Sequence, residues 1–376
     1  MYICDTNNLN IIKTMKNLRV LFAFLLLIGL YGESQACTSA IITAAKSSEG
    51  VPMLWKHRDS KEWDCNVAYI QGERFAYTAV VSLSHHKTFC GINEKGFAVM
   101  NTVSSNISRV DPSIKSPIAV ELMGEILGKC GSVEEFEVWL KASNGKRSYV
   151  TNYAVGDSTG VVAYFEVSQM GYTRYDATER EEGFDVRSNF SFAGDKPRGK
   201  SQMRYDVTMA QMKGKKLYTP YEFIDYSRNY LNNEGSCPLD KAGSSILDNS
   251  TIARFTSAAS AVMVCDAENP RMLVCVGHPA AVMAVPVYVK AKSALPECVK
   301  GVEMLNLGNE FRTKTHKGDA KEIAKMEYDK ARIEQIVKIN TVCKMPSVFP
   351  KCIEKFNAKI DKLFAKHAAK VRKVLE

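Results

Sequence analysis

The chain has 376 residues, of which 45% are hydrophobic and 24% charged, and this composition is typical of an ordinary globular protein with ample material for a core. The net charge of +9 is uneven, because residues 301–376 contain 17 Lys and Arg against 10 Asp and Glu. Such a basic tail is more typical of solvated amphipathic helices than of a nucleic-acid-binding protein. We therefore expect no nucleic-acid partner.

Residues 1–36 predict an export signal. A basic stretch precedes the short apolar run at residues 20–30, and small residues, Ser34 and Ala36, stand at positions −3 and −1 relative to Cys37. This order is typical of a secretory signal peptide, and the run is too short to span a bilayer comfortably. We predict cleavage after Ala36 and an exported, periplasmic or extracellular protein. The alternative is a lipoprotein with Cys37 lipidated, and membrane contact is expected only in that case.

Cleavage after Ala36 would place a free α-amino group and a thiol on the same residue, Cys37. An α-amine has a pKa of about 8, so it can accept the proton of its own side chain. The thiolate that results is the reactive form of cysteine. The sequence therefore predicts Cys37 as a nucleophile that carries its own base.

The other cysteines do not indicate a metal site. The chain has eleven cysteines in all, without a CxxC pair or a Cys/His cluster at ligand spacing, so we expect neither metal nor cofactor. In an exported protein, disulfides are allowed. Cys265 and Cys275 flank a predicted hairpin, and Cys343 and Cys352 flank a Pro-rich turn, so either pair could form a bridge.

Short β-rich segments predict strands along most of the chain after Cys37. They lie at residues 39–43, 51–55, 67–70, 76–83, 88–91, 97–102, 152–155, 161–167, 171–175, 187–193, 258–265, 272–276 and 282–289. A helix is predicted at 117–129, a second one opens with a capping box at Ser132 and Glu135, and a third helical segment covers 203–232. The segment 56–59 follows the predicted strand 51–55, and its two cations would keep Asp59 ionised.

From residue 318 the apolar residues keep helical spacing in two stretches that are separated by Pro346 and Pro350. These stretches predict amphipathic helices that pack either on the body of the same chain or on a second copy of it. The second arrangement would make the protein a homo-oligomer. We therefore divide the chain into a signal peptide at 1–36, an α+β catalytic domain at 37–300, and a basic helical extension at 301–376.

Six motifs in order give the region from Cys37 to about Pro286 a family resemblance. They are Cys37-Thr38-Ser39, Lys56-His57-Arg58-Asp59, Gly91 to Gly96 leading to Asn101, Asp157 to Glu166, Asn189-Phe190, and Thr256 to Asp266. Together they resemble the choloylglycine hydrolase, penicillin V acylase and acyl-CoA:6-aminopenicillanate acyltransferase family of N-terminal nucleophile (Ntn) hydrolases.

The resemblance implies a four-layer αββα fold, with Cys37 at the end of a central strand, and cleavage of a linear, non-peptide C–N bond in a small N-acyl amide. By position, Cys37 is implied as nucleophile and base, and Asp59 as the carboxylate that orients its amine. Asn101 and Asn189 are implied as oxyanion donors, and Arg254 matches the late arginine of the family.

One position departs from the family. Bile-salt hydrolases carry arginine where this chain has Lys56, so the charge is kept but the bidentate fork is lost. Arg58 is the other candidate for that role. Two alternatives to an acylamide amidase remain open: a related Ntn dipeptidase, which also begins Cys-Thr, and a lipid-anchored envelope protein with the same fold and no catalysis.

Overall fold

The computed structural model describes residues 37–85, 87–109, 111–233, 235, 250–317, 327–339 and 342–376. The predicted signal peptide and Cys237 lie outside the described residues. The strands are β1 (Thr38–Ile42), β2 (Met53–Asp59), β3 (Cys65–Gln71), β4 (Ala76–Ser82), β5 (Thr88–Asn93), β6 (Ala98–Val103), β7 (Thr151–Gly156), β8 (Val162–Val167), β9 (Tyr172–Asp176), β10 (Phe184–Arg187), β11 (Ser257–Val264), β12 (Arg271–Val276), β13 (Val285–Tyr288), β14 (His316–Lys317) and β15 (Glu327–Tyr328).

The strands form two large antiparallel sheets. The first has the order β10-β1-β2-β11-β12-β13, so the strand that follows Cys37 lies inside the sheet between β10 and β2. The second is a seven-stranded meander from β3 to β9. β14 and β15 pair separately. Because neighbours in sequence are neighbours in the meander, local turns suffice to build most of it.

The helices are α1 (Ala119–Lys129), α2 (Val133–Lys141), α3 (Ser201–Met212), α4 (Pro220–Tyr226), α5 (Glu297–Lys300), α6 (Glu303–Thr315), α7 (Lys330–Ile339) and α8 (Ile353–Leu375). The predicted cap of α2 is present, since Ser132 Oγ accepts from Glu135 N at 3.2 Å. The carboxylate of Glu135 accepts from Gly131 N at 2.8 Å, so it closes the box one residue earlier than expected.

Alternating side chains of the meander build two separate cores. Val80, Met100 and Ala154 belong to the core shared with the six-stranded sheet. Their neighbours Ala79 and Val99 belong to a second core under α1 and α2. Helices α3, α4 and α6 contact strands of the six-stranded sheet. The order of layers is therefore helix, sheet, sheet, helix, and the predicted four-layer α+β architecture is confirmed.

The helices of the predicted extension pack on the same body. His367 and Asn357 of α8 bond to the main chain: Asn357 Nδ2 donates to Ala294 O at 2.8 Å, and His367 Nε2 lies 2.9 Å from Ala281 O. Of the two arrangements expected for these helices, packing on the body is present. Within the described ranges, no helix is both long and apolar enough to cross a bilayer.

Three local predictions are wrong. Only Arg187 of the predicted strand 187–193 lies in a strand, because β10 ends there and side chains hold the following loop. The predicted helix at 203–232 is two helices, α3 and α4, with Thr219 capping the second. The segment 56–59 does not follow a strand but forms the last part of β2. The cysteines at 265, 275, 343 and 352 are all free thiols.

Candidate active site around Cys37

Cys37 lies immediately before β1, and its main chain is held at both polar atoms. Its N–H donates to Asn189 Oδ1 at 2.6 Å. Its carbonyl oxygen accepts a hydrogen bond from Arg204 Nη1. Arg204 also donates to Thr38 Oγ1 at 3.1 Å and to Asn189 Oδ1 at 3.0 Å. The residue predicted as nucleophile is therefore immobilised by an amide and a guanidinium.

The pairing of β1 with β2 decides which predicted residues can share a space with Cys37. Ser39 is opposite Lys56, and Thr38 is opposite His57. Side chains alternate between the two faces of a strand, so Lys56 and Arg58 point to one face, and His57 and Asp59 to the other. Ser39 Oγ meets Tyr164 Oη of the meander at 2.8 Å, so the first face is the one between the sheets. Cys37 is two residues before Ser39, so its side chain points to the same face, between the sheets.

Lys56 crosses the space between the sheets and joins Asn101. Its ammonium donates to Asn101 Oδ1 at 3.1 Å, to Asn101 O at 2.9 Å and to Phe89 O at 2.9 Å. Burial lowers the pKa of Lys56, and the nearby Cys37 acts in the opposite direction. These three acceptors are neutral, so the cation has no carboxylate partner among them. Its charge is available to a thiolate or an oxyanion.

Arg58 lies on the same face as Lys56 but contacts other residues. Its guanidinium stacks on Phe89 at 3.6 Å from the ring centroid, and its Nη1 donates to Glu62 O at 3.0 Å. Of the two cations in the segment, Lys56 is the one that reaches Asn101.

Asp59 lies on the opposite face of β2, in an ion pair with Arg254 at 2.5 Å. Ser257 Oγ donates to its carboxylate at 2.9 Å, and His57 Nε2 lies 3.2 Å away. Burial by itself raises the pKa of Asp59, but Arg254 and His57 outweigh it and hold the pKa well below the usual range. Asp59 is therefore held ionised by Arg254 and His57, not by its sequence neighbours Lys56 and Arg58 as the sequence suggested.

The contact of Asp59 with Cys37 is indirect. The acceptor of the Cys37 N–H is Asn189 rather than Asp59. Arg204 bonds to the Cys37 main chain and is near enough to Asp59 for that carboxylate to raise its pKa. Burial is the larger effect and, with Arg254, lowers the pKa of Arg204 to about 9, so the guanidinium is still charged at neutral pH.

A network of buried polar groups positions the Asn189 loop. Glu166 accepts from Phe192 N at 2.8 Å and from Ala193 N at 2.7 Å, and it forms an ion pair with Arg187 at 2.7 Å. Asn152 Nδ2 donates to Phe190 O at 2.9 Å. Backbone groups of an irregular loop need such partners when they are buried, and these partners hold Asn189 against Cys37.

Among the described residues, the side-chain amides of Asn101 and Asn189 each donate one hydrogen bond. Asn101 Nδ2 donates to Thr151 Oγ1 at 3.3 Å, and Asn189 Nδ2 donates to Val103 O at 3.0 Å. An amide nitrogen carries two hydrogens, so one of each pair is left after these bonds.

A comparison with protein-family models gives no match, and a comparison with curated proteins gives no significant one. Among solved structures, the chain is similar to the conjugated bile acid hydrolase of Clostridium perfringens in a mutant form, at 10% identity and a TM-score of 0.42, over 67% of this chain and 92% of that one. It is similar to the Caenorhabditis elegans ortholog of N-acylethanolamine-hydrolyzing acid amidase at 13% identity and a TM-score of 0.40, over 61% and 93%.

A third similar structure is penicillin V acylase from Agrobacterium tumefaciens, at 14% identity and a TM-score of 0.38, over 67% of this chain and 85% of that one. At these levels of identity, a function for the present chain is argued from its own residues around Cys37.

Sequence reasoning missed Arg204 altogether. This residue is 1% exposed and lies in the first turn of α3, within a segment that sequence showed only as helical. Sequence predicts that an arginine on an amphipathic helix is exposed, because charged residues are rarely buried without a partner. The only sequence signal is its position 15 residues after Asn189, which indicates nothing by itself.

Proposed function

We propose that the mature chain begins at Cys37 and hydrolyses the linear amide bond of a small N-acyl substrate through a thioester intermediate. The observation that carries the proposal is the anchoring of Cys37 N and O by Asn189 and Arg204, beside the buried Lys56–Asn101 pair. Such anchoring holds a nucleophile and its own amine in one orientation, which reduces the entropic cost of the reaction.

In the first half of the proposed reaction, the α-amine of Cys37 takes the thiol proton and the thiolate attacks the amide carbon. The carbonyl π electrons move to oxygen, and the oxyanion accepts hydrogen bonds from the side-chain N–H groups of Asn101 and Asn189. The ammonium of Cys37 then gives its proton to the leaving nitrogen as the C–N bond breaks. A thioester and a free amine result.

In the second half, water attacks the thioester and gives a proton to the same amine. The tetrahedral intermediate collapses to a carboxylic acid, and Cys37 leaves as a thiolate that regains its proton. An acceptor amine in place of water would give acyl transfer. Lys56 contributes by stabilising the negative charge that passes from sulfur to oxygen, and in this role it takes the place of the family arginine.

Removal of residues 1–36 is part of the proposal, because the amine has to be free to act as a base. In this proposal residues 1–36 are the signal that directs export, and their removal exposes the amine of Cys37. The position of Cys37 at the start of an inner strand, with only 5% of its surface exposed, favours a catalytic residue over a lipid anchor. A diacylglyceryl group on its sulfur would have to be accommodated between the two sheets.

The first experiment is the intact mass and N-terminal sequence of the protein from its own host, followed by iodoacetamide treatment. We expect a chain that begins at Cys37 and loses activity when that thiol is alkylated. The matched control is Cys352→Ala, which removes an exposed thiol and should leave activity unchanged. A lipidated, N-acylated Cys37, or full activity in Cys37→Ala, would contradict the proposal.

A substrate panel distinguishes the two enzymatic alternatives. N-acyl amides with different acyl chains are compared with dipeptides under the same conditions. Hydrolysis of the acyl amides supports the proposed function, and exclusive hydrolysis of dipeptides supports the dipeptidase instead. A competing acceptor amine in the same assay measures the partition between hydrolysis and acyl transfer.

A further inference from the structure

A cavity lies far along the chain from Cys37, between α8 and the segment that follows α7. Its volume is about 470 Å³, which is within the usual range of small-molecule sites. We call it the C-terminal cavity. Its floor consists of four buried side chains, Met283, Cys343, Ile360 and His367.

The floor carries no charge at neutral pH. His367 is 4% exposed and its Nε2 lies 2.9 Å from Ala281 O. Burial lowers the pKa of His367 below its ordinary value, so the ring is neutral. Burial raises the pKa of the Cys343 thiol to about 11, so the thiol is protonated. The floor therefore suits a hydrocarbon rather than an ion.

The rim has the opposite character. Four exposed lysines line it: Lys344, Lys359, Lys366 and Lys370. The last three lie on one face of α8, because they are spaced by seven and four residues. Among the described residues, these rim lysines form no ion pair, whereas Arg372 of the same helix pairs with Glu310 at 2.8 Å. An apolar floor under a ring of unpaired cations complements an amphiphile with a negative head.

We propose that the C-terminal cavity binds a single medium-chain fatty acid such as dodecanoate, with its hydrocarbon chain on the floor and its carboxylate among the rim lysines. This site is separate from the proposed reaction at Cys37 and does not depend on it. Head-group binding gains from the release of repulsion among the lysines, and chain binding gains from the removal of apolar surface from water.

The cavity favours one recessed ligand over a flat membrane surface. Helices that lie on membranes expose a row of large apolar side chains toward the lipid. Within α8, all of which is described, Leu363 is the large apolar side chain that is exposed, at 40%. Ile360 and Phe364 are buried in the protein. A bilayer would therefore gain little apolar contact here.

The test is isothermal titration of the purified mature protein with dodecanoate, and with dodecanol as the uncharged analogue. We expect one dodecanoate per chain and binding at least about tenfold weaker for dodecanol. The double variant Lys359→Glu/Lys366→Glu should weaken dodecanoate binding by about tenfold or more. The matched control, Lys355→Glu/Lys362→Glu, changes two exposed lysines of the same helix that do not line the cavity, and should bind normally.

Four outcomes would overturn the proposal. One is the absence of saturable 1:1 binding. Another is equal weakening in both double variants, which would mean a general charge effect. A third is unchanged binding in Lys359→Glu/Lys366→Glu, which would place the fatty acid elsewhere, such as at Cys37. The fourth is sedimentation with phosphatidylglycerol vesicles but no 1:1 complex, which would make this face a membrane surface. Amide hydrolysis by both double variants should remain normal.

Discussion

Arg204 is the side chain that ties the main chain of Cys37 to the Asn189 loop. One guanidinium donates to the Cys37 carbonyl, to Thr38 Oγ1 and to Asn189 Oδ1. No single-charge group of another shape can reproduce three bonds in these directions. We therefore assign Arg204 as a positioning residue for the proposed reaction.

We expect Arg204→Met to lower kcat by about 100-fold with little change in KM, because a nucleophile displaced by about 1 Å loses that much. Arg204→Lys should recover little, since lysine keeps the charge but lacks the fork. Steady-state kinetics on the best amide substrate measure the split. Lys213→Met, an exposed change just after the same helix, is the control. Wild-type kcat in folded Arg204→Met would refute the assignment.

Lys56 is the buried cation that we expect to stabilise negative charge in the proposed reaction. Its ammonium bonds to Asn101 and to Phe89 O in the space that the Cys37 side chain shares. Lys56→Met should lower kcat by about 100-fold, the usual loss when one charge-stabilising donor is removed. Arg58→Met should have a smaller effect on kcat, since Arg58 bonds to Glu62 O instead. The reverse order of the two variants would make Arg58 the replacement for the family arginine.

At the scale of elements, the strand β2 separates two sets of functional groups. Sequence placed the segment 56–59 after a strand, where its side chains would be free to converge. In the structure the segment is part of β2, so Lys56 and Asp59 point to opposite faces. Asp59 consequently contacts Arg254, which lies just before β11, on the side away from the meander.

The loop after β10 depends on the buried carboxylate of Glu166. We expect Glu166→Gln to lower the free energy of unfolding by about 3 kcal/mol, because it leaves the buried Arg187 with one carboxylate fewer. Urea denaturation at neutral pH measures the change. Glu137→Gln alters a partly exposed pair with Arg174 and should cost less than about 1 kcal/mol. Equal effects in both variants would contradict the role of Glu166.

At the scale of the molecule, buried neutral histidines make stability depend on pH. Burial lowers the pKa of His316 to about 3, and it also lowers the pKa of His278 and His367. In the unfolded chain a histidine titrates near pH 6.5. The unfolded state therefore binds more protons below that pH. Stability is fully present above pH 6.5 and decreases as the pH falls toward the folded pKa values.

We expect the free energy of unfolding to fall between pH 7 and pH 5, by at most about 1.4 kcal/mol per pH unit for each such histidine. His316→Phe should reduce this slope, because the ring lies among Phe255, Phe311 and Tyr328 and an apolar ring does not titrate. His85→Phe, at an exposed position, should leave the slope unchanged. Urea midpoints at the two pH values give the slopes. Equal slopes in all three proteins would exclude a role for His316.

The sequence by itself determined the features that depend on neighbouring residues. Alternating apolar residues and turn signals located most strands, and Ser132 located the start of α2, because these patterns act within a few residues. The nucleophile candidate Cys37 came from its position after a small-residue cleavage site. The motif order also suggested Asn101, Asn189 and Arg254, and the structure brings Asn189 to Cys37 and Arg254 to Asp59.

Only the tertiary structure decided which groups meet. Lys56 joins Asn101 because one sheet packs on the other, and Arg204 reaches Cys37 because α3 packs beside β10. Sequence placed the segment 56–59 after a strand. In the structure β2 continues to Asp59, and because side chains alternate along a strand, Asp59 points to the face opposite that of Lys56. Contacts between residues that are 45 to 195 positions apart depend on register and packing, which no local pattern encodes.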